Sequence, residues 1–257
     1  MNQSERRLFL IQSLLNERED GARKPIPQGA EMQKRVLRSL MNVRRPKPIG
    51  EDFLRVQDEY LREELAHAEV TDVKDLTPVA DDLYLWQGDI TKLRCGAIVN
   101  AANSGMTGCY SPCHSCIDNC IHTYAGVQLR LECDRIMAAQ GHEEPTGQAK
   151  ITKAYNLPCD YVLHTVGPIV GNEVTQEDEH LLASCYQSCL ELAEKNGVQS
   201  VAFCCISTGV FRFPNQRAAE IAVETVRQYK QTHHSSIKVI FNVFKEKDKA
   251  IYEQLLR

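Results

Sequence analysis

Short apolar runs alternate with helix-like segments from Leu83 to the end of the chain. Runs rich in β-branched and aromatic residues are typical of strands, and the longer stretches between them carry apolar residues at helical spacing. The predicted strands are 83–86, 97–101, 150–153, 161–165, 200–205 and 238–243. The predicted helices are about 117–139, 177–195, 214–231 and 246–256. This alternation predicts an α/β fold with a sheet between helical layers.

The first 75 residues have a different pattern. Apolar residues at helical spacing predict amphipathic helices around 8–15 and 32–41, and prolines at 25, 27, 46 and 48 punctuate them. We therefore expect a helical extension over residues 1–75, packed on a main domain over residues 76–257.

The extension carries a basic segment at residues 21–48, where eight lysines or arginines face one acid, Glu31. The basic positions are Arg23, Lys24, Lys34, Arg35, Arg38, Arg44, Arg45 and Lys47. A solvated helix face is the favoured interpretation, and docking of an acidic partner is the alternative. The net charge of −4 and the lack of aromatic residues within the basic run argue against a nucleic-acid partner.

The cysteine content bears on location, because eleven cysteines in a secreted chain would suggest disulfides. The N-terminal sequence MNQSERRLFLIQSLLNERED has too short an apolar run for a signal peptide. No stretch approaches the roughly 20 apolar residues of a membrane span. We expect reduced thiols, a cytoplasmic protein and no membrane partner.

Three loops that follow predicted strands carry groups suited to binding. Asp89 can accept a hydrogen bond from an exocyclic amine, with Ile90 as an apolar wall, although a turn or cap role is the simpler interpretation of Asp89 alone. A second loop runs from Asn103 to Cys116. The third, residues 207–214, precedes a helix, and its backbone amides could cradle phosphate.

Four cysteines and two histidines lie between Gly105 and His122. Thiolate and imidazole are zinc ligands, so this run predicts a metal site. Cys113 and Cys116 could form a ligand pair or a redox pair. Cys120 and His122 fall in a predicted helix, where a packed side chain is expected.

The order and spacing of several motifs resemble the macro domain family, which binds ADP-ribose. These motifs are Gly-Asp-Ile at 88–90, Asn-Ala-Ala-Asn at 100–103, Asp-Asn-Cys-Ile-His at 118–122, His-Thr-Val-Gly-Pro at 164–168 and Ser-Thr-Gly-Val-Phe at 207–211. The resemblance covers about residues 83–256. The segment GCYSPCHSC at 108–116 resembles a zinc-dependent subclass from some bacteria and fungi, whose members also carry an N-terminal helical extension.

The resemblance implies a three-layer α/β/α fold with a mixed central sheet. It also implies that Asp89 contacts the adenine amino group, that Asn103 bonds the distal ribose, and that residues 207–211 hold the diphosphate, with Phe211 against the distal ribose. The implied ligand-binding positions are Asp89, Ile90, Asn103, Cys116, Ile117, Asp118, Ser207, Thr208, Gly209, Val210 and Phe211.

The resemblance further implies one Zn²⁺ per chain, held by Cys109, His114 and Cys116. Three ligands leave a fourth position free, as in catalytic zinc sites, whereas a fourth bond from Cys113 would make the site structural. The implied enzyme is a hydrolase that removes mono-ADP-ribose from Asp or Glu esters. Asp118, which orients water or caps the following helix, and Asn103 are its expected catalytic residues.

Three other functions stay open: a reader that binds ADP-ribose without cleaving it, a hydrolase of O-acetyl-ADP-ribose, and a zinc-stabilised interaction module that uses the basic segment. The subclass is associated with a sirtuin-type transferase and with a lipoyl-carrier protein resembling the glycine-cleavage H protein. These are therefore the implied functional partner and the implied substrate.

Overall fold

The computed structural model describes residues 1–18 and 25–257. Arg23 and Lys24 of the basic segment lie outside the described residues. The helices are α1 Gln3–Asn16, α2 Ala30–Val43, α3 Glu51–Ala66, α4 Ile117–Ala125, α5 Val127–Gln140, α6 Gln176–Lys195, α7 Asn215–His233 and α8 Glu246–Leu255. The strands are β1 Thr71–Asp72, β2 Leu83–Gln87, β3 Leu93–Arg94, β4 Ala97–Ala101, β5 Ala149–Lys153, β6 Tyr161–Thr165, β7 Ser200–Phe203 and β8 Lys238–Val243.

Six strands form the central sheet in the order β2-β8-β7-β4-β6-β5. The first five run parallel to their neighbours, and β5 pairs antiparallel with β6. Strands β4 and β7 are apolar runs rather than alternating patterns because helices cover both faces of a parallel sheet. The predicted mixed sheet between helical layers is confirmed.

Helices α4 and α5 form one group against the sheet, and α6, α7 and α8 form another. The core between them includes several cysteines, and none of the eleven is paired. Cys185 on α6 is fully buried, and burial raises the pKa of its thiol to about 11. Such thiols are packing residues, as expected for a chain with reduced cysteines.

The N-terminal extension contains three long helices rather than the two that were predicted. The missed helix, α3, buries Phe53, Val56, Tyr60 and Leu61, whose spacing is helical. Together with apolar residues of α1 and α2, these side chains form a second apolar core, which Val127 of α5 joins. The division near residue 75 stays a prediction.

The helix predicted over 117–139 was wrong in one respect, because it is broken at Gly126. This glycine has a φ of 99°, which side chains disfavour, and a Cβ there would lie 2.5 Å from Nε2 of Gln57. The side chain of Gln57 on α3 instead accepts a hydrogen bond from the amide of Val127. The break at Gly126 therefore allows α3 to pack closely against the start of α5.

Among the described residues, no helix combines the length and apolarity needed to cross a bilayer.

Candidate functional site

The three predicted binding loops lie along one edge of the sheet. They follow β2, β4 and β7, and these parallel strands occupy the stretch β2-β8-β7-β4 of the sheet order. The carboxyl ends of parallel strands meet at the same edge, where open α/β sheets form ligand crevices. The topology therefore brings the predicted loops together.

Asp89 begins the short 3-10 turn Ile90–Lys92 that follows β2. Its Oδ1 accepts hydrogen bonds from the amide of Thr91 at 3.0 Å and from its hydroxyl at 2.7 Å. Ile90 is buried beside it. Asp89 thus has the cap role that the simpler interpretation favoured, while Oδ2 has no hydrogen bond to any described residue.

The shape of the loop after β7 is set by its own backbone. Ser207 has a φ of 63°, and its hydroxyl is buried without a hydrogen-bond partner among the described residues. The amide of Phe213 donates to the carbonyl of Ser207 at 3.0 Å, which closes the loop. Gly209 and Val210 at its tip are exposed, and Thr208 and Phe211 are half-buried. A loop of this shape presents backbone amides to an anion.

Gly167 explains how closely this loop approaches the segment after β6. A Cβ at Gly167 would lie 2.1 Å from Oγ of Ser207. The amide of Val170 also donates to the carbonyl of Phe211 at 2.9 Å. The His-Thr-Val-Gly-Pro motif thus supports the loop after β7.

Cys109, His114 and Cys116 come together in the loop between β4 and α4. Their ligand atoms lie within 4.8 Å of one another, and Sγ of Cys109 is 3.8 Å from Nδ1 of His114. All three are half-buried. Burial raises the pKa of the Cys116 thiol to about 12, and a bound cation would counter that rise by favouring the thiolate.

Cys113 is turned away from this group. It has a φ of 54°, and its Sγ lies 3.4 Å from the carbonyl oxygen of Arg35 on α2. Cys120 lies instead against Arg38, with Nη2 3.5 Å from its Sγ. The geometry therefore groups three of the four cysteine and histidine positions of the 108–116 segment and leaves Cys113 outside.

Asp118 stands at the start of α4, two residues after Cys116, and is almost fully buried. Its Oδ1 accepts a hydrogen bond from Nδ2 of Asn100 at 2.8 Å, and Nδ2 of Asn103 lies 3.4 Å from its Oδ2. Burial raises the pKa of this carboxyl to about 6, although the Asn100 hydrogen bond and the charge of Arg130 oppose the rise. The two asparagines of the Asn-Ala-Ala-Asn motif thus hold one carboxylate.

The loop that carries Cys109, His114 and Cys116 is held from outside by helix α2. Nη2 of Arg38 donates to the carbonyl of His114 at 2.8 Å and to Oδ1 of Asn119 at 2.9 Å. Asn42, which is 1% exposed, accepts from the amide of Cys113 at 2.9 Å and donates to Thr123 at 2.9 Å. The extension is therefore part of the wall of the candidate site.

Arg130 on α5 completes this support. Its Nη1 donates to the carbonyls of Asn42 and Arg44 at 2.7 and 2.6 Å, at the end of α2. Its guanidinium lies 4.3 Å from the ring centre of Tyr110, within the same loop. One buried cation thus joins α2, α5 and the loop.

A second group of metal-ligand types lies deeper, formed by His122, Cys133 and His164. All three are buried, and burial lowers the pKa of His164 to about 3. His164 is held by Nδ2 of Asn100 at 3.1 Å and by Oγ1 of Thr152 at 2.9 Å. Neither ring nitrogen of His122 has a hydrogen-bond partner among the described residues. Nε2 of His122 lies 3.5 Å from Oδ1 of Asp118, so this buried ring packs beside that carboxylate.

Sequence reasoning missed the supporting residues Arg38, Asn42, Asn100 and Arg130. It also missed Phe244, which directly follows β8 and is 74% exposed. Nε2 of Gln87 lies 3.4 Å from the carbonyl oxygen of Phe244, so this residue follows β8 at the same edge of the sheet as the end of β2. An exposed aromatic at a strand end was the available signal for Phe244.

Comparisons with known proteins agree with this architecture. The family described as Macro domain matches residues 99–222. A protein-ADP-ribose hydrolase of Treponema medium is 59% identical over 100% of both chains. One of Staphylococcus aureus is 49% identical over 96% of this chain and 94% of its own length.

A solved structure extends the agreement to three dimensions. The Trypanosoma brucei macrodomain in complex with ADP-ribose has a TM-score of 0.67 and 30% identity, covering 86% of this chain and 95% of that one. Identity at this level over full-length relatives, together with the observed sheet order, establishes the family. This chain belongs to the macro domain family.

Proposed function

We propose that this chain is a zinc-dependent protein-ADP-ribose hydrolase that releases mono-ADP-ribose from esters of aspartate or glutamate side chains. Its relatives from Treponema medium and Staphylococcus aureus carry the name protein-ADP-ribose hydrolase and confirm the expected hydrolase class. The proposal rests on the position of Asp118 at the start of α4. Its carboxylate accepts hydrogen bonds from both asparagines of the Asn-Ala-Ala-Asn motif and lies two residues after Cys116.

In this proposal, ADP-ribose lies along the carboxyl edge of the sheet. The free Oδ2 of Asp89 accepts from the adenine amino group, Ile90 supplies an apolar wall, and Phe244 stacks on the base. The amides of residues 207–211 hold the diphosphate. Asn103, which is exposed, bonds the distal ribose, and Cys116, Ile117 and Asp118 line that end of the crevice.

The donor set of Cys109, His114 and Cys116 fits Zn²⁺. Two thiols and one imidazole within 4.8 Å are the sulfur and nitrogen ligands that zinc prefers, and the distant Cys113 leaves them as three. A Zn²⁺ ion held there would supply a Lewis acid beside the distal ribose.

The reaction is hydrolysis of an acyl ester. Water adds to the ester carbonyl, the bond between the acyl carbon and the ribose oxygen breaks, and the water proton ends on the ribose hydroxyl. Oδ2 of Asp118 orients the attacking water, while Asn100 fixes the carboxylate through Oδ1.

The proposed substrate and partner follow from the subclass resemblance. The substrate is an ADP-ribosylated protein similar to lipoyl carriers, and the enzyme acts opposite to a sirtuin-type transferase. Free O-acetyl-ADP-ribose carries the same kind of ester on the same ribose. It is therefore the natural small-molecule substrate for comparison.

The test is release of labelled ADP-ribose from proteins modified at aspartate, at serine or at arginine. We expect turnover with the aspartate ester only, and a fall of about 100-fold in Asn103→Ala because ribose positioning is lost. Asn103 is exposed, so the variant should fold; circular dichroism and the melting temperature serve as the control. Binding of the aspartate-modified protein without release would make the chain a reader and overturn the proposal.

A further inference from the structure

A groove of about 370 Å³ opens between the extension and the macro domain. Helices α2 and α3 form one wall, and the turn Ile90–Lys92 and helix α4 form the other. Its floor includes Leu37, Met41 and Leu157, with Tyr124 exposed to 40% at its side. The groove does not contain the residues assigned above to ADP-ribose or to metal.

The groove carries uncompensated positive charge. Lys34, Arg35, Arg38 and Lys92 line it, against Glu31 and Glu64. Nζ of Lys34 is 2.9 Å from a carboxylate oxygen of Glu64, so this pair is neutral overall. Neither Arg35 nor Lys92 forms an ion pair within the described part of the chain.

Arg38 adds a further unsatisfied donor. One of its nitrogens serves the metal loop, whereas its buried Nε has no hydrogen-bond partner among the described residues. A carboxylate in the groove would compensate the charge of this guanidinium. In a chain with a net charge of −4, this local excess of cations favours a negatively charged partner.

The position of the groove identifies the partner. Arg38 joins the groove to the carbonyl of His114, in the loop proposed to lie at the distal ribose, which is the end of ADP-ribose that carries the protein. A protein whose ADP-ribose occupies the crevice therefore has its own chain next to this groove. The apolar floor and the tyrosines suit a peptide rather than a phosphate backbone alone.

We infer that the groove binds an acidic segment of the same protein that carries the ADP-ribose, and so selects protein substrates. This inference rests on the proposed function. It assigns a docking role to the basic residues of α2, which is the alternative to a solvated helix face that their charge pattern allows.

The test compares two peptides that each carry ADP-ribose on one aspartate, one flanked by glutamates and one by serines and glycines. Wild type is expected to favour the acidic peptide about tenfold in kcat/KM and in binding affinity. The double variant Arg35→Glu/Lys92→Glu should lose that preference, because like charges repel. Its affinity for free ADP-ribose should stay within twofold of wild type.

The matched control is Lys195→Glu/Arg227→Glu, which changes the net charge equally on exposed positions of α6 and α7. It should keep the full preference. Equal treatment of both peptides by wild type, or a preference that survives the groove variant, would overturn the inference. Binding of a single-stranded oligonucleotide in place of the acidic peptide would also overturn it.

A separate binding measurement distinguishes failure of the proposed hydrolase function from failure of the inference that the groove binds an acidic segment. If neither peptide is cleaved, fluorescence anisotropy still measures whether the acidic peptide binds more tightly and whether Arg35→Glu/Lys92→Glu removes the difference.

Discussion

The two groups of cysteine and histidine side chains have the same ligand types in opposite surroundings. Cys109, His114 and Cys116 are half-buried in a loop, whereas His122, Cys133 and His164 are buried between α4, α5 and β6. A sulfur–nitrogen distance of 3.8 Å occurs in both groups. Ligand type and distance therefore do not separate a metal site from a core.

The two groups differ in how many of their ligand atoms already have hydrogen-bond partners and in how far their side chains are exposed. In the buried group, both ring nitrogens of His164 already have hydrogen-bond partners, Asn100 and Thr152. Burial raises the pKa of the thiol in both Cys133 and Cys116, but Cys133 is 2% exposed whereas Cys116 is half-buried. In the loop group, α2 holds the backbone through Arg38 and Asn42. Its ligand atoms have only long contacts, 3.8 Å between Cys109 and His114 and 3.5 Å from the amide of Asn119 to Sγ of Cys116. These differences favour the loop group over the buried group as the proposed metal site.

Asp118 lies between the two groups and gives the largest expected effect. The variant Asp118→Asn keeps the shape of the side chain but loses the charge that orients water. We expect hydrolysis of the aspartate ester to fall by about 100-fold or more, with metal content unchanged. Rapid-quench measurement of label release and metal analysis of the same sample check this. Wild-type activity in the variant would remove Asp118 from the mechanism.

The hydrogen bonds from Arg38 of α2 to the loop predict an effect on metal affinity. Removing the guanidinium in Arg38→Ala frees the carbonyl of His114 and Oδ1 of Asn119, so the loop should hold metal less tightly. We expect about a tenfold loss of zinc affinity, as for other residues that orient metal ligands, measured by competition with a chelator. Arg62→Ala, on the exposed side of α3, is the control and should bind as wild type. Equal affinity in both variants would show that the loop needs no support.

The buried group predicts a loss of stability in acid. His164 has a folded pKa of about 3, against 6.5 for an ordinary histidine. Below pH 6.5 the unfolded chain takes up a proton that the folded chain does not bind, so the free energy of unfolding falls until about pH 3. At pH 5 the loss amounts to about 2 kcal/mol relative to pH 8.

The variant His164→Asn should remove this part of the pH dependence. Two neighbours also titrate: burial lowers the pKa of His122, which acts in the same direction, and raises that of Asp118, which opposes it below about pH 6. Urea unfolding of wild type and variant between pH 5 and 8 isolates the His164 share. Parallel curves for the two proteins would mean that His164 does not titrate in this way.

The smallest effect is expected for Cys133→Ser. This thiol is 2% exposed and lies 3.8 Å from Nε2 of His164. Replacing it should cost about 1 kcal/mol of stability and leave both metal content and hydrolysis unchanged. Loss of a metal ion from this variant would show that the two groups are both sites.

The sequence predicts the main domain well because each signal there is local. The strands around Val99 and Phe241 are apolar runs, and the binding loops follow strand ends, where parallel topology gathers them. Helix α3 was missed although Phe53, Val56 and Tyr60 have helical spacing. The break at Gly126 depends on Gln57, which lies in another helix, so the spacing within 117–139 could not reveal it.

The supporting contacts of the site could not be predicted, because they join distant segments. Arg38 meets His114 across 76 positions, and Asn42 meets Cys113 across 71. Nothing local distinguishes Arg38 from the other basic residues of α2. The hydrogen bond between Thr152 and His164 likewise joins two strands. It depends on the register of β5 against β6, which the sequence of either strand alone does not reveal.

The central claim is that the loop group holds the metal that hydrolysis requires. The most direct measurement is metal content per chain together with ester hydrolysis for wild type, Cys116→Ser and Cys133→Ser, all purified in parallel. We expect one zinc and full activity in wild type and in Cys133→Ser, and neither in Cys116→Ser. Full hydrolysis by a metal-free Cys116→Ser protein would contradict the claim.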